Sequence, residues 1–166
     1  MEVFEEIYRQ NETAVRRFLL RLTGCDAHLA EELTQETFYQ AFLSFGSFRG
    51  NCQMRTWLCQ IAKHVYARHI RNETKQRHIA ETEQAAPLRT LPEQLEQKEL
   101  LCAVRQIIAE MDETARTVTE YRLFSEMHYA EIAKLMQIRE STAMVIFSRA
   151  KAKIRRRLKE DYGYEI

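Results

Sequence analysis

Apolar side chains recur at three- and four-residue steps through most of this chain, and no segment alternates with a period of two. That rhythm belongs to helices that each bury one face, and it leaves no place for a sheet. Val3, Phe4, Ile7, Val15, Phe18, Leu19 and Leu22 mark a first helix over 2–23, with Gly24 as its stop. Asp26 is placed to cap a second helix, which carries Leu29, Leu33, Phe38, Ala41, Phe42 and Phe45. Its other face holds Glu31, Glu32, Gln35, Glu36 and Tyr39. Gly46-Ser47-Phe48-Arg49-Gly50 reads as a loop, and Asn51 as the cap of a third long helix. The stripe of that helix is Met54, Trp57, Leu58, Ile61, Val65, His69 and Ile70. Four Gly and two Pro in 166 residues are too few for the tight turns of an all-β fold.

The pattern weakens after residue 75, where Ala85-Ala86-Pro87 and Leu91-Pro92 punctuate a polar stretch. Residues 79–94 therefore read as a flexible linker that extends to roughly 50 Å. Periodicity resumes at Leu100, Leu101, Val104, Ile107, Ile108 and Met111, and again at Ala115, Val118, Tyr121, Arg122 and Phe124. The expected fold is all-α, with two small helical domains over 1–78 and 95–166.

The charge is distributed more tellingly than its total of +1 implies. Residues 51–78 carry six basic side chains (Arg55, Lys63, Arg68, Arg71, Lys75 and Arg77) against one acid, Glu73. Residues 79–99 carry five acids and two bases, and residues 141–159 carry seven bases and no acid. Two basic segments separated by an acidic one point to two contacts with a single polyanion, since solvated faces usually mix signs. The linker's reach exceeds one turn of B-DNA, about 34 Å, so both segments can dock on one duplex.

Enzyme chemistry has no foothold. There is no phosphate-binding glycine loop, no nucleophile elbow and no paired metal-ligand motif. Cys25, Cys52, Cys59 and Cys102 form no CxxC pair and are expected to be buried and inert. No cofactor and no metal is expected. No apolar run reaches the roughly 20 residues of a membrane span, and the acidic start Met1-Glu2-Val3-Phe4-Glu5-Glu6 is unlike a signal peptide. The chain is expected in the cytoplasm.

Two helices joined at Gln137-Ile138-Arg139 fit a helix-turn-helix. Ala133 is small where the pair must pack closely, and Ile132, Leu135 and Ile138 supply its core. Ser141 or Thr142 is placed to cap the second helix, freeing its first amides for a phosphate. The first turns of that helix would meet base edges, and its basic second half would meet phosphates. An ordinary helical hairpin would give the same local signal.

Together these segments resemble the extracytoplasmic-function group of RNA polymerase sigma factors. Ala30-Glu31-Glu32-Leu33-Thr34-Gln35-Glu36-Thr37-Phe38 is similar to that family's AEDLVQETF. Ser47-Phe48-Arg49-Gly50, with Arg55-Thr56-Trp57-Leu58 and Ile61-Ala62, is similar to its SFRG…RTWL…IA. Tyr129 to Lys151 resembles its SYEEIAEILGI…TVKSRLxRAR. The resemblance implies a protein that binds core RNA polymerase and directs promoter-specific initiation. It places Glu32, Leu33, Gln35, Glu36 and Phe38 against the clamp coiled coil of the polymerase. It places Phe48, Arg49, Asn51, Arg55, Lys63, His64, Arg68 and Arg71 at the −10 element. Arg139, Ser141, Thr142, Val145, Ser148, Arg149, Lys151 and Lys153 fall at the −35 element. The second domain would also meet the flap tip. An anti-sigma factor anchored at the membrane and wedged between the two domains is the partner that the family implies. Two other readings remain at this point: a two-domain helix-turn-helix regulator that does not bind polymerase, and a helical adaptor for protein partners.

Three departures from the family pattern bear on function. His64 follows Lys63 where the family often has Asn, at a position that helps to choose a −10 base. Gln137 stands where the turn usually has Gly, so a positive φ there carries a cost. Ala143-Met144-Val145-Ile146 replaces a segment that usually supplies two cations.

Overall fold

The computed structural model describes residues 2–77 and 92–164, and every regular element among them is helical. Most of the expected linker, residues 79–91, lies outside the described residues, but Pro92 already opens a helix. The long helices are α1 (Glu2–Leu22), α2 (Ala27–Ser44) and α3 (Met54–Arg77), then α4 (Pro92–Ala109), α5 (Glu113–Phe124), α6 (Tyr129–Met136) and α7 (Glu140–Tyr162). A short 3-10 turn, Phe45–Ser47, follows α2.

α1, α2 and α3 pack on one another to form a first bundle. Its core is Val15, Phe18, Leu19 and Leu22 from α1, Leu33, Phe38 and Ala41 from α2, and Leu58, Ala62 and Val65 from α3. Thr34 and Thr37 are buried with them, and each hydroxyl donates to a carbonyl one turn back, Ala30 and Leu33, at 2.6 Å. That bond removes the cost of burying a hydroxyl in an apolar core. α4 to α7 form a second bundle around α7, with Ile107, Ile108, Val118, Phe124, Ile132, Ala143, Ile154 and Leu158 inside.

The helix ends show where sequence signals act. α1 closes on a Schellman turn: Cys25 N–H donates to the Leu20 carbonyl at 2.8 Å, and Gly24 takes φ +70°. Asp26 caps α2 as expected, its carboxylate accepting from Leu29 N–H at 3.0 Å. Asp112 caps α5 in the same way, through Ala115 N–H at 2.9 Å.

Two expected caps are corrected. Asn51 does not cap the third helix, which begins three residues later at Met54. Ser141 and Thr142 do not cap α7: the N-cap is Arg139, so both hydroxyls lie inside the first turn. A cap needs extended backbone at its own position, and the bend at Gln137-Ile138 places that backbone at Arg139, with ψ 147°.

The bundles do not sit apart. α1 packs on α5, and the Phe18 and Tyr121 rings stack across the seam, 6.2 Å apart at 19°. Both rings are buried, so the two apolar cores run together as one cluster.

The helix-turn-helix is α6 and α7. Ile138 N–H reaches back to the Ala133 carbonyl at 3.0 Å, which forces Gln137 into the left-handed region at φ 55°, ψ 41°. A side chain there costs about 1–2 kcal/mol. Glycine would remove that strain and would lose about 0.5–1 kcal/mol of backbone entropy. Gln137→Gly is therefore expected to raise stability by about 0.5–1 kcal/mol, read as a higher urea midpoint at unchanged slope. A lower midpoint would show that the Gln137 side chain contributes more than its backbone costs.

Candidate nucleic-acid interface

The residues singled out by sequence fall on three surfaces. The first is on α2. Glu32 and Gln35 are exposed and Glu36 is partly so, but Leu33 and Phe38 are core residues at 6% and 5% exposure. Those two pack beneath the exposed face, which corrects their placement on it. Helical spacing of 100° per residue brings Tyr39 and Leu43 onto the side of Glu32, Gln35 and Glu36. Tyr39 is 56% and Leu43 60% exposed, so the open face of α2 is polar at its start and apolar toward its end. Phe42, 53% exposed, is met on one side by the Phe4 ring at 5.3 Å. Sequence reasoning took Phe42 as core and left out Leu43, because apolar residues surround this helix and periodicity alone does not say which side is wet.

The second surface is the loop at 48–53 with α3. Phe48 is half-buried against Trp57, their ring centroids 5.1 Å apart, while Phe45 lies 6.5 Å from the same indole. Trp57 thus backs the loop as half-buried packing. Arg49 is exposed. His64, Arg68 and Arg71 lie along one side of α3 and line an open groove with Gln40, Ser44 and Ile61. Arg68 is tied to Glu36 of α2 at 2.8 Å.

Arg55 and Lys63 reach the second bundle through their side chains, and Asn51 meets it through its backbone carbonyl. The Arg55 guanidinium donates to the Ser125 carbonyl at 3.1 Å, and Lys134 donates to the Asn51 carbonyl at 3.1 Å. Lys63 is ion-paired with Glu120 and lies over the Tyr121 ring, 5.7 Å from its centroid. Thr56, which sequence reasoning passed over, donates its hydroxyl to Glu131 at 2.6 Å. The candidate residues of the loop and of α3 therefore divide between a side open to solvent and a side that the second bundle meets.

The third surface is α7. Ala143, Ala150, Ile154 and Leu158 face inward. Opposite them, Ser141, Val145, Ser148 and Arg149 share an exposed face, with Thr142 and Arg139 at its edge. Lys151 and Lys153 differ by 200° around the helix and lie on opposite flanks. Lys153 is half-buried beside Glu110, which Arg157 binds at 2.7 Å. The guanidinium of Arg157 holds the Glu110 carboxyl below its ordinary range, and the nearby Lys153 adds to that pull.

Among the described residues, no group of three His, Cys, Asp or Glu side chains is placed to hold a metal ion. No helix among them is long and apolar enough to cross a membrane.

Comparison with known proteins explains this layout. Residues 7–76 match the family model for sigma-70 region 2, and residues 103–154 match the model for sigma-70 region 4. The chain is 28% identical over 155 residues to the ECF RNA polymerase sigma factor SigM of Bacillus subtilis, covering 91% of this chain and 92% of that one. It is 30% identical over 140 residues to the RNA polymerase sigma-H factor of Pseudomonas aeruginosa, covering 78% and 72%. Its fold is similar to the sigma factor RpoE solved in complex with the anti-sigma factor NepR from Bartonella quintana. That match has a TM-score of 0.69 at 20% identity over 97% of this chain and 99% of the other. The chain belongs to the sigma-70 family, in its extracytoplasmic-function group: it is a sigma factor, a transcription initiation factor and not a member of an enzyme family. The readings as a polymerase-independent regulator or a protein adaptor are set aside by that membership.

Only Cys59 fits the expectation of buried, inert cysteines; Cys25 and Cys52 are half-buried and Cys102 is exposed. Burial pushes the Cys59 thiol up to about 12, against the weaker pull of Arg55. The unfolded thiol, at about 9, gives up its proton first, so the folded state binds more protons between pH 9 and 12. The contribution is whole below pH 9 and is lost as pH rises toward 12. Alkylation of the folded protein at pH 8 should spare Cys59 and label Cys102, with Cys59 reacting only after denaturant is added. Labelling of both at equal rates in the folded state would show that the core around Cys59 opens readily.

Proposed function

We propose that this sigma factor binds core RNA polymerase through the open face of α2 and reads promoters with two surfaces, α3 at the −10 element and α7 at the −35 element. The supporting observation is that one chain carries both family regions, and that α7 presents a continuous exposed face of Ser141, Val145, Ser148 and Arg149 in a helix-turn-helix. The domains run over 1–78 and 95–166, with 79–94 as the connection.

On α2, Glu32, Gln35 and Glu36 contact the clamp coiled coil, and Leu33 and Phe38 hold the helix in place beneath them. An exposed acidic and aromatic face suits a protein partner better than DNA. At the −10 element, Arg49, Arg68 and Arg71 hold the backbone. His64 lies beside the single strand, and the Phe48–Trp57 layer receives an extruded base, since stacking accepts any base. Asn51, Arg55 and Lys63 join them once the second domain has moved away. At the −35 element the apolar front of α7 meets thymine methyls through Val145, and Ser141 and Ser148 reach base edges. Arg139, Thr142, Arg149, Lys151 and Lys153 lie toward the two backbones. The second domain also contacts the flap tip.

The chain performs no catalysis of its own and works in the cytoplasm. Control comes from an anti-sigma factor, in the family's usual form anchored at the membrane. The groove between the domains, lined by Leu22, Tyr66, Ile70, Arg105, Ile108 and Phe124, is where a helix of that partner would sit.

Reconstitution with core polymerase on a library of promoter sequences tests the whole reading. Initiation above core alone is expected on a subset that shares two elements; initiation at the level of core on every sequence would overturn it. Gln35→Ala with Tyr39→Ala should weaken holoenzyme assembly about tenfold or more while leaving the melting temperature within a few degrees, because neither side chain is buried. Unchanged polymerase affinity would remove this face from the interface.

Arg149 supplies a further test. It lies to one side of the Ser141–Val145–Ser148 face, which places it nearer phosphate than base. Arg149→Ala should weaken binding about equally on all −35 variants and reduce the salt slope by about one unit. A loss confined to one base, with the slope unchanged, would make Arg149 a base reader instead.

A further inference from the structure

We propose that Gln40 of α2 is a specificity-determining residue of the −10 surface, reading the major-groove edge of an adenine, and that Glu36 is the positioning residue that sets its amide. The inference rests on the assignment of α3 to the −10 element and brings α2 to the same surface.

One carboxylate joins the two helices at this point. Oε1 of Glu36 accepts from Gln40 Nε2 at 2.9 Å, one turn along α2, and from Arg68 Nη2 of α3 at 2.8 Å. Both donors line the open groove that His64 and Arg71 also line. An ionised carboxylate only accepts. Glu36 therefore decides which end of the Gln40 amide faces it: the nitrogen. The carbonyl oxygen and the second N–H remain for a ligand. Ser44, one turn farther on, donates its hydroxyl to the Gln40 backbone carbonyl at 2.7 Å, so its proton is committed to α2 itself. Arg68 spends one N–H on Glu36 and keeps the rest of its fork for phosphate.

A carbonyl beside an N–H on one planar group matches one base in the major groove. Adenine presents its N6–H donor and N7 acceptor side by side there, and a glutamine amide meets both at once. Guanine presents two acceptors in the same place and would set its O6 against the Gln40 oxygen. The apolar part of the groove agrees with this choice. Ile61 is half-buried and lines it, and thymine, the partner of adenine, is the base that carries a methyl on this edge. The place of the groove along α3 suits a paired base. His64 and Arg68 lie 7 and 11 residues beyond Trp57, which is about 10–16 Å along the helix. That is about three to five base steps from the aromatic layer assigned to the extruded base, far enough for the strands to be paired again.

Holding the amide is what gives it selectivity. An unheld glutamine turns its amide over and meets a base edge with donor and acceptor in the opposite order. Held by Glu36, it presents one order only, and the cost of ordering it falls on folding rather than on DNA binding. This role does not remove Glu36 from the polymerase face, because its second carboxylate oxygen accepts from neither Gln40 nor Arg68.

The test uses holoenzyme assembled on core polymerase at saturating sigma factor, so that a change in polymerase affinity does not enter. Initiation is measured on duplex promoters that carry each base pair in turn at every −10 position. Preference is read as a ratio between base pairs, which a uniform loss does not move. The wild type should prefer A·T at one position and lose about tenfold with any other pair there. It should lose about as much when that adenine is 7-deazaadenine, which lacks the N7 acceptor. Gln40→Ala, at a half-buried helical position that suits alanine, should abolish both effects at that position and leave the profile elsewhere unchanged. Glu36→Gln keeps the side-chain shape but lets the Gln40 amide turn over, and should reduce the ratio at the same position by about threefold. Gln40→Ala with the adenine preference intact, or with an equal loss on every sequence, would overturn the proposal. Flattening at a position indifferent to 7-deazaadenine would overturn the adenine contact. A wild-type profile in Glu36→Gln would overturn the positioning role. Wild-type holoenzyme that initiates without any −10 preference would refute the −10 assignment itself, a result that no Gln40 variant can give.

Discussion

The stacked pair of Phe18 and Tyr121 is the contact on which the rest of the arrangement depends. Phe18 belongs to the buried face of α1. Tyr121 belongs to α5 and turns its ring onto Phe18 across the seam. Burial pushes the Tyr121 hydroxyl well above its ordinary range, with Cys59 and Glu120 adding to the effect. A dry aromatic layer of this kind strengthens the polar pairs around it, because charges interact more strongly where water is excluded. The Lys63 ammonium lies over the Tyr121 ring and against Glu120, so the cation is held by a face and a carboxylate together. Polar contacts flank this apolar seam, among them Arg55 to the Ser125 carbonyl and Thr56 to Glu131.

Helix content was legible because α1, α4, α5 and α7 each carry a narrow apolar stripe. Local chemistry also gave Asp26 as a cap, Gly24 as a stop and Gln137 as the position of a costly turn. Asn51 and Ser141 were misread for one reason: Asn and Ser can cap wherever the backbone allows, and the backbone at each site is set by contacts distant in sequence. Asn51 gives its carbonyl to Lys134, 83 positions away. Leu33 and Phe38 were misplaced because α2 is apolar nearly all round. Tyr39, Phe42 and Leu43 are wet while Leu33 and Phe38 are dry, and only the positions of α1 and α3 decide which is which. The division of the basic residues of α3 between a free and an occupied side had no sequence signal at all, since it depends on where Glu120 and Glu131 come to rest.

The polar contacts across the seam explain a feature that composition leaves puzzling. The end of α5, the turn after it and the start of α6 hold Glu120, Glu126 and Glu131, in a domain whose other end, from Arg149 onward, is strongly basic. A duplex bound along α7 would gain nothing from acids on the same domain. On the side toward α1 and α3, these acids pair with Lys63, Thr56 and Arg21. The charge segregation seen along the sequence thus becomes a segregation between the basic second half of α7 and an acidic side that meets the first bundle.

The apolar front of α7 follows from the same division of labour. Ala143 is buried against the rest of the second bundle, so it is a packing residue and was never a substitute for a cation. Met144 and Val145 are each 49% exposed, and no acid after Glu140 interrupts the helix until Glu160. A helix with cations at its base-reading end binds most duplexes it touches, through phosphates alone. Moving the cations to the flanks and the second half leaves the front turn to serine hydroxyls and a branched apolar group. Those groups gain little from a backbone and something from a matching base edge. Under the proposed −35 reading, recognition by α7 trades affinity for discrimination, and such a trade is tolerable only in a protein that reaches its promoter as part of a larger assembly, where the polymerase supplies the affinity that this helix gives up.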